Sequence, residues 1–228
     1  MIDIDLEAVG VRALNERLHR LPYGTNERRW RVLNPKGAHA LAVGLGRPIE
    51  IEIAGHVGYY CAGMNKEATI TINGHAGTGV AENIMSGLVR VKGNASQSAA
   101  ASGHGGLVVI EGDASSRCGI SMKGVDIVVG GSVGHMSAFM AQTGHLVVCG
   151  DAGAHLGDSI YEAVIYVRGR VESLGSDCVA KKMTASDRSK LAALLTRAGI
   201  AGLDPADFRR YGSARQLYNF KIDHAAQY

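Results

Sequence analysis

Apolar residues come in short bursts, two apart, and the bursts recur every 19 residues through the middle of the chain. The pairs are Ile51/Ile53, Ile70/Ile72, Val89/Val91, Val108/Ile110, Ile127/Val129, Leu146/Val148 and Ile165/Val167. Two residues after each pair stands a glycine, the seven being Gly55, Gly74, Gly93, Gly112, Gly131, Gly150 and Gly169. Two residues further on come Val57, Ala76, Ala95, Ala114, Val133, Ala152 and Val171, again all apolar.

Alternation over four β-branched or aliphatic positions predicts a short strand with one buried face. One such strand cannot bury that face alone, so stacked copies have to share a core. The glycine is expected to let the chain bend sharply at the strand end without a Cβ clash, and the small residue two places on to turn into the interior. Between them lie His56, His75, Asn94, Asp113, Ser132, Asp151 and Arg170, mostly turn formers.

A 19-residue period is too short for two packed helices, and the leucine framework of leucine-rich repeats is missing. The fold class expected is therefore an all-β core: a single-stranded, right-handed parallel β-helix of about seven coils, with helical caps at both ends. At ~4.8 Å per coil the prism would be roughly 34 Å long.

Both ends of such a prism need covering. Residues 1–49 are assigned to an N-terminal cap, with a helix near 5–19 that turns Leu6, Val11, Leu14 and Leu18 inward, then an irregular first coil. Residues 50–178 are the β-helix, and 179–228 a C-terminal helical cap and tail. There, Thr184 with Asp187 is a helix-capping pair, Leu191, Leu194 and Leu195 form an apolar stripe, and Gly199 ends the helix. Asp204-Pro205 starts another short helix. The Tyr- and Arg-containing tail beyond it either belongs to the cap or reaches a partner chain.

The outward strand position divides along the prism. It is Glu52, Thr71 and Arg90 in the first coils, but Val109, Val128, Val147 and Tyr166 in the last four. An apolar column on an outer face calls for a cover, either the chain's own C-terminal helices or another molecule.

Composition narrows the function. There are 31 glycines against one Trp, eight Tyr and three Phe, so the core has to be built from small and β-branched side chains. A net charge of +3, from 24 basic and 21 acidic residues, gives no reason to expect nucleic acid or an anionic membrane as partner. The acidic start Met1-Ile2-Asp3-Ile4-Asp5 lacks the pattern of a signal peptide, and a cytoplasmic location is expected.

Candidate chemistry is sparse. Cys61, Cys118, Cys149 and Cys178 form no CxxC pair and are expected to be buried structural thiols. His56 and His75 fall in adjacent coils, where either a two-histidine metal site or a stacked polar ladder continuing through Asn94 and Asp113 fits. His135 and His155 raise the same question. Gly103-His104-Gly105-Gly106 and Gly77-Thr78-Gly79 lack the residues of a phosphate loop and are expected at coil corners, as are Ser96, Ser98, Ser102 and Ser121. No set supplies a nucleophile, its base and oxyanion donors. Catalytic, cofactor-binding and metal residues are each expected to be none on this chain.

The run Gly150-Asp151-Ala152-Gly153-Ala154-His155-Leu156-Gly157, with partial copies at Gly74/Gly77, Gly131/Gly134 and Gly112 with Ser115 and Gly119, has the G-xx-G-xxx-G spacing of the GXGXG domain. Over residues 50–178 the chain resembles the C-terminal β-helix domain of the glutamate synthase large subunit. It is more distantly similar to the β-helix subunit of formylmethanofuran dehydrogenase. The segments Leu21-Pro22-Tyr23-Gly24-Thr25-Asn26, Gly93-Asn94-Ala95-Ser96-Gln97-Ser98 and Cys118-Gly119-Ile120-Ser121-Met122-Lys123-Gly124 look similar to the stand-alone β-helix subunit of N-methylglutamate synthase (methylamine–glutamate N-methyltransferase).

That resemblance implies a subunit of a transferase complex of methylamine metabolism, converting methylamine and glutamate to N-methylglutamate and ammonia. The implied partners are a glutamine-amidotransferase-like chain and a glutamate-synthase-like chain. The latter would carry FMN and, as a further expectation, an iron–sulfur cluster. A split glutamate synthase, and a C1-transfer complex of the formylmethanofuran dehydrogenase or formyltransferase/hydrolase type, are the alternatives. A free-standing β-helix enzyme that degrades polysaccharide would instead show clustered Asp and Arg on one outer face.

Overall fold

Every 19-residue step along the chain is one turn of a coil in space. Ile51 lies beside Ile70, Ile70 beside Val89 and Val89 beside Val108, in unbroken register to Ile165. The computed structural model describes residues 1–217, and over them the chain is a parallel β-helix. Its strands are β1 (Ile2–Asp5), β2 (Arg29–Leu33), β3 (Glu50–Ile53), β4 (Thr69–Ile72) and β5 (Leu88–Val91), followed by β6 (Leu107–Ile110), β7 (Lys123–Val129), β8 (Thr143–Val148) and β9 (Val164–Val167). All nine pair in parallel in chain order. The small residues after the glycines form a second parallel ladder, from Val57 and Ala76 through to Val171.

The glycines avoid a Cβ clash at the strand end, as expected, but the clash is with the preceding coil rather than with a left-handed bend of their own backbone. Apart from Gly55, those of the periodic column have no positive φ, so no left-handed bend requires them. They are needed because successive coils touch at this corner. A Cβ on Gly131 would lie 2.1 Å from Asp113 Oδ1, and one on Gly112 would lie 2.1 Å from Asn94 Oδ1. The glycines bond directly to one another, Gly112 N–H to Gly93 O at 3.1 Å and Gly131 N–H to Gly112 O at 2.9 Å.

The left-handed backbone sits elsewhere, mostly at residues with a side chain. Along the next arc of each coil, alternate positions have φ near +55°: Tyr60, Ala62 and Met64; Ser98, Ala100 and Ser102; Met136, Ala138 and Met140. Such conformations cost roughly 1–2 kcal/mol per residue in isolation. Here they aim alternate backbone groups at the coil ahead and the coil behind. Met64 N–H donates forward to Glu82 O at 2.8 Å, and Ala81 N–H backward to Cys61 O at 2.9 Å.

The N-terminal end is closed by β1 and by α1 (Leu6–His19), which is capped by the Asp5 carboxylate and interrupted at Gly10. Leu6, Leu14 and Leu18 are buried and Val11 is partly buried, on the expected face. Asn15 stands in for a missing coil. Its side-chain N–H donates to Ala40 O at 2.8 Å and its carbonyl accepts from Ala42 N–H at 2.9 Å.

The C-terminal region contains α2 (Ala185–Ala198) with the expected Thr184/Asp187 capping box and a left-handed Gly199, then a short 3-10 turn over Pro205–Asp207 behind Asp204. It also contains two strands that the sequence pattern did not announce, β10 (Cys178–Lys181) and β11 (Arg209–Ser213). β11 pairs antiparallel with both β9 and β10, so the sheet ends in the order β9-β11-β10. The tail reading in part concerns residues 218–228, outside the described residues.

The apolar column has its cover within the chain. Val109, Val128, Val147 and Tyr166 form one cluster with Leu191, Leu194, Leu195 and Ala198 of α2 and with Phe208. α2 is thus a side cover over the later coils, while the outer face of the first three coils stays polar.

Candidate functional site

The corner column of turn formers is a continuous hydrogen-bond ladder. His75 N–H donates to His56 Nδ1 at 2.9 Å, Asn94 N–H to His75 Nδ1 at 2.8 Å, and Asp113 N–H to Asn94 Oδ1 at 2.9 Å. It continues through Ser132 N–H to Asp113 Oδ1 at 2.7 Å, Asp151 N–H to Ser132 Oγ at 3.0 Å and Arg170 N–H to Asp151 Oδ1 at 2.7 Å. Each side chain accepts from the next coil's backbone, which is why an acceptor recurs there.

His56 and His75 are both members of this ladder. Their rings stack with centroids 4.9 Å apart and 7° between planes. Because each Nδ1 accepts a backbone hydrogen bond, the neutral ring carries its proton on Nε2. A metal on Nε2 would then need an imidazolate, or the ladder bond would have to break. The pair therefore serves as two rungs. His135 and His155 lie edge to face at 5.4 Å, and no group of three metal-ligating side chains occurs among the described residues.

The four cysteines are free and buried. Burial pushes the Cys61, Cys118 and Cys178 thiols up to about 12 and Cys149 to about 11, far from thiolate chemistry. The glycine-rich runs and the four serines are on coil corners and arcs. Ser98, Ser102 and Ser121 adopt the left-handed backbone, and Gly106 leads straight into β6 rather than into a helix.

A half-buried charge cluster was not foreseen from the sequence. His145 Nδ1–H donates to Asp126 Oδ1 at 2.8 Å, while Arg197 and Lys190 of α2 reach Asp126 Oδ2 at 3.2 and 3.6 Å. Burial alone would raise the Asp126 pKa; the His145 bond and the two cations outweigh it and hold the carboxyl below its ordinary value. Asp126 and His145 occupy one outward position in adjacent coils, two residues from the apolar column, so the signal was present in that neighbouring column.

Asp187 is a second fastening. Its Oδ2 accepts from Thr184 N–H at 2.9 Å, and its Oδ1 accepts from the Tyr166 hydroxyl at 3.0 Å and faces the Arg210 guanidinium at 3.0 Å. Arg90 holds the other end of α2, donating to Ala198 O at 2.9 Å, a cation at a helix C-terminus. Three charged contacts thus lock α2 to the solenoid.

Among the described residues, no helix lies over the polar outer face of β2–β4. That face carries a shallow depression of about 220 Å³ lined by Arg29, Glu50, Glu52, Thr71, Asn73 and Lys92. Its mixed charges and lack of enclosure suit a surface contact better than a small-molecule pocket. Among the described residues no helix is long and apolar enough to cross a membrane.

No protein-family model matches the chain. Its sequence is 57% identical over 225 residues to "Protein GlxC" of Rhizobium meliloti (strain 1021), covering 99% of both chains.

Proposed function

The chain belongs to the family of protein GlxC, and on that footing we propose that it is a non-catalytic structural subunit of a glutamate-synthase-like complex. The observation that carries this reading is the unbroken inter-coil register from β2 to β9, locked on its outside by α2. A solenoid bonded in this way along its whole length is a stiff spacer. It can hold two catalytic partners at a fixed separation, which favours passing a small amine between their sites. The GXGXG-like spacing over residues 150–157 supports the glutamate synthase connection.

Within that class, N-methylglutamate synthase is the reading we favour. An amidotransferase-like chain and an FMN-bearing synthase-like chain would be the partners, with the cofactor held by the latter. The open polar face of the first coils is the surface we assign to partner contact, since α2 occupies the later ones. The test is affinity purification of this chain from its host, with mass spectrometry and an absorbance spectrum of the eluate. Co-elution of both partner chains with a flavin spectrum is expected. Reconstitution without this chain should abolish activity while the partner keeps its FMN. A colourless, solitary protein, or full activity from the other two chains alone, would overturn the proposal.

A further inference from the structure

Three side chains in consecutive coils hold the backbone by a bond that proton binding forbids. His39 Nδ1 accepts from Tyr59 N–H at 3.0 Å, His56 Nδ1 from His75 N–H at 2.9 Å and His75 Nδ1 from Asn94 N–H at 2.8 Å. An imidazole accepts through a ring nitrogen only while it is neutral, because the imidazolium carries a proton on both. Each ring therefore holds either its rung or a second proton, never both.

The rings are exposed to solvent yet seated against the coil ahead. A Cβ on Gly58 would lie 1.9 Å from His39 Nδ1, and one on Gly93 would lie 2.5 Å from His75 Nδ1. His39 faces the Tyr59 ring at 3.9 Å, while His56 and His75 face each other at 4.9 Å, so protonating that pair sets two like charges face to face.

The surrounding charges do not offset this. Among the described residues the one histidine within ion-pairing distance of a carboxylate is His145, beside Asp126. α1, which packs against the coil of His39, brings Glu7, held by Lys36, and His19, whose Nε2–H donates to Val43 O in either charge state. On the strand side Glu52 is engaged by Asn73. Along the column the next rungs are Asn94 and Asp113, and Asp113 stands two coils, ~10 Å, beyond His75. In the later coils the same rung is made by Asn94, Asp113, Ser132 and Asp151, none of which needs an imidazole.

We propose that His39, His56 and His75 make the corner of the first coils a pH-released seam. Acidification through the range from pH 8 to 5, where histidine gains its charge, opens these rungs and leaves the later ones closed. The unfolded chain places no such demand on its imidazoles. It therefore binds more protons than the folded chain, and stability falls as the pH falls.

Two measurements on the purified full chain test this. Hydrogen exchange is compared at about pH 7.5 and 5.5 as protection relative to the intrinsic rate at each pH. Protection at the Tyr59, His75 and Asn94 amides should fall about ten-fold or more on acidification, with the Asp113, Ser132 and Asp151 amides unchanged. The melting temperature should drop by roughly 4–8 °C over the same interval. It should drop by less than half as much in the triple variant His39→Asn, His56→Asn, His75→Asn, which supplies at each rung the amide acceptor that Asn94 already uses. Unchanged protection at the three amides, or an equal drop in the two proteins, would overturn the proposal. The exchange measurement uses the unaltered chain, so it decides the matter should the variant fail to fold.

Discussion

Replacing Gly131 with alanine tests what the periodic glycines are for. The new Cβ would lie 2.1 Å from Asp113 Oδ1 and 2.9 Å from Gly112 O, so the carboxylate has to move aside and the coils have to part slightly. Moving Asp113 strips Ser132 N–H of its 2.7 Å acceptor, a hydrogen bond to a charged group worth about 1.5–3 kcal/mol, less here because the corner is exposed. Backbone crowding of this kind adds about 1–3 kcal/mol. A total loss of about 2–4 kcal/mol is expected, which for a chain of this size lowers the melting temperature by roughly 5–15 °C. The control is Gly46→Ala, where nothing lies within 4 Å of the new atom and φ is not positive. That change should be neutral, or stabilising by about 0.4–1 kcal/mol, by restricting the unfolded chain. Thermal melts followed by circular dichroism compare the two. The double variant Gly131→Ala with Asp113→Ala should lose less than the sum of its parts, because the closest contact has gone. Equal melting temperatures for the Gly131 and Gly46 variants would refute the close-approach explanation.

Three further outcomes are expected. Changing Val128 and Val147 together to lysine buries ammonium groups under α2; a loss of about 3–5 kcal/mol should free that helix, and unaltered trypsin resistance at Arg188 and Lys190 would contradict its role as a cover. Asp126 and Asp187 are both held below the ordinary carboxyl range. The stability they contribute is therefore complete above about pH 4 and is lost as the pH falls through their lowered folded-state values. Helical circular dichroism should fall on acidification from pH 4 towards 2, and a flat profile would show that these carboxylates do not hold α2. The four thiols should be inert to a thiol reagent at pH 8 and react fully only in denaturant; rapid labelling of the native protein would refute their burial.

The β-helix was legible because a solenoid writes the same physical demand into the chain once per coil. Inward apolar pairs, small corner residues and side-chain acceptors each recur at 19-residue spacing, and each has its counterpart in the structure. The capping box of α2 was equally visible, since Thr184 and Asp187 satisfy helix-end donors within four residues of chain.

What the sequence could not decide depends on which surfaces meet. The column Val109, Val128, Val147 and Tyr166 demanded a cover, but only the folded chain shows α2 lying on it. In the charge cluster, Asp126 and His145 share a repeat position, but Lys190 and Arg197 join them from α2, Arg197 from 71 positions away, a separation that leaves no local pattern. β11 inserts between β9 and β10 although Arg209-Arg210-Tyr211-Gly212-Ser213 reads as polar, because flanking strands supply its hydrogen bonds. The left-handed residues such as Ala62, Ala81 and Ala100 carry no glycine signal. The coils above and below impose that backbone through hydrogen bonds that exist only after stacking. Repetition fixes what each coil needs from its neighbours; where a single non-repeating segment docks is settled by long-range contacts that form only once the prism is built.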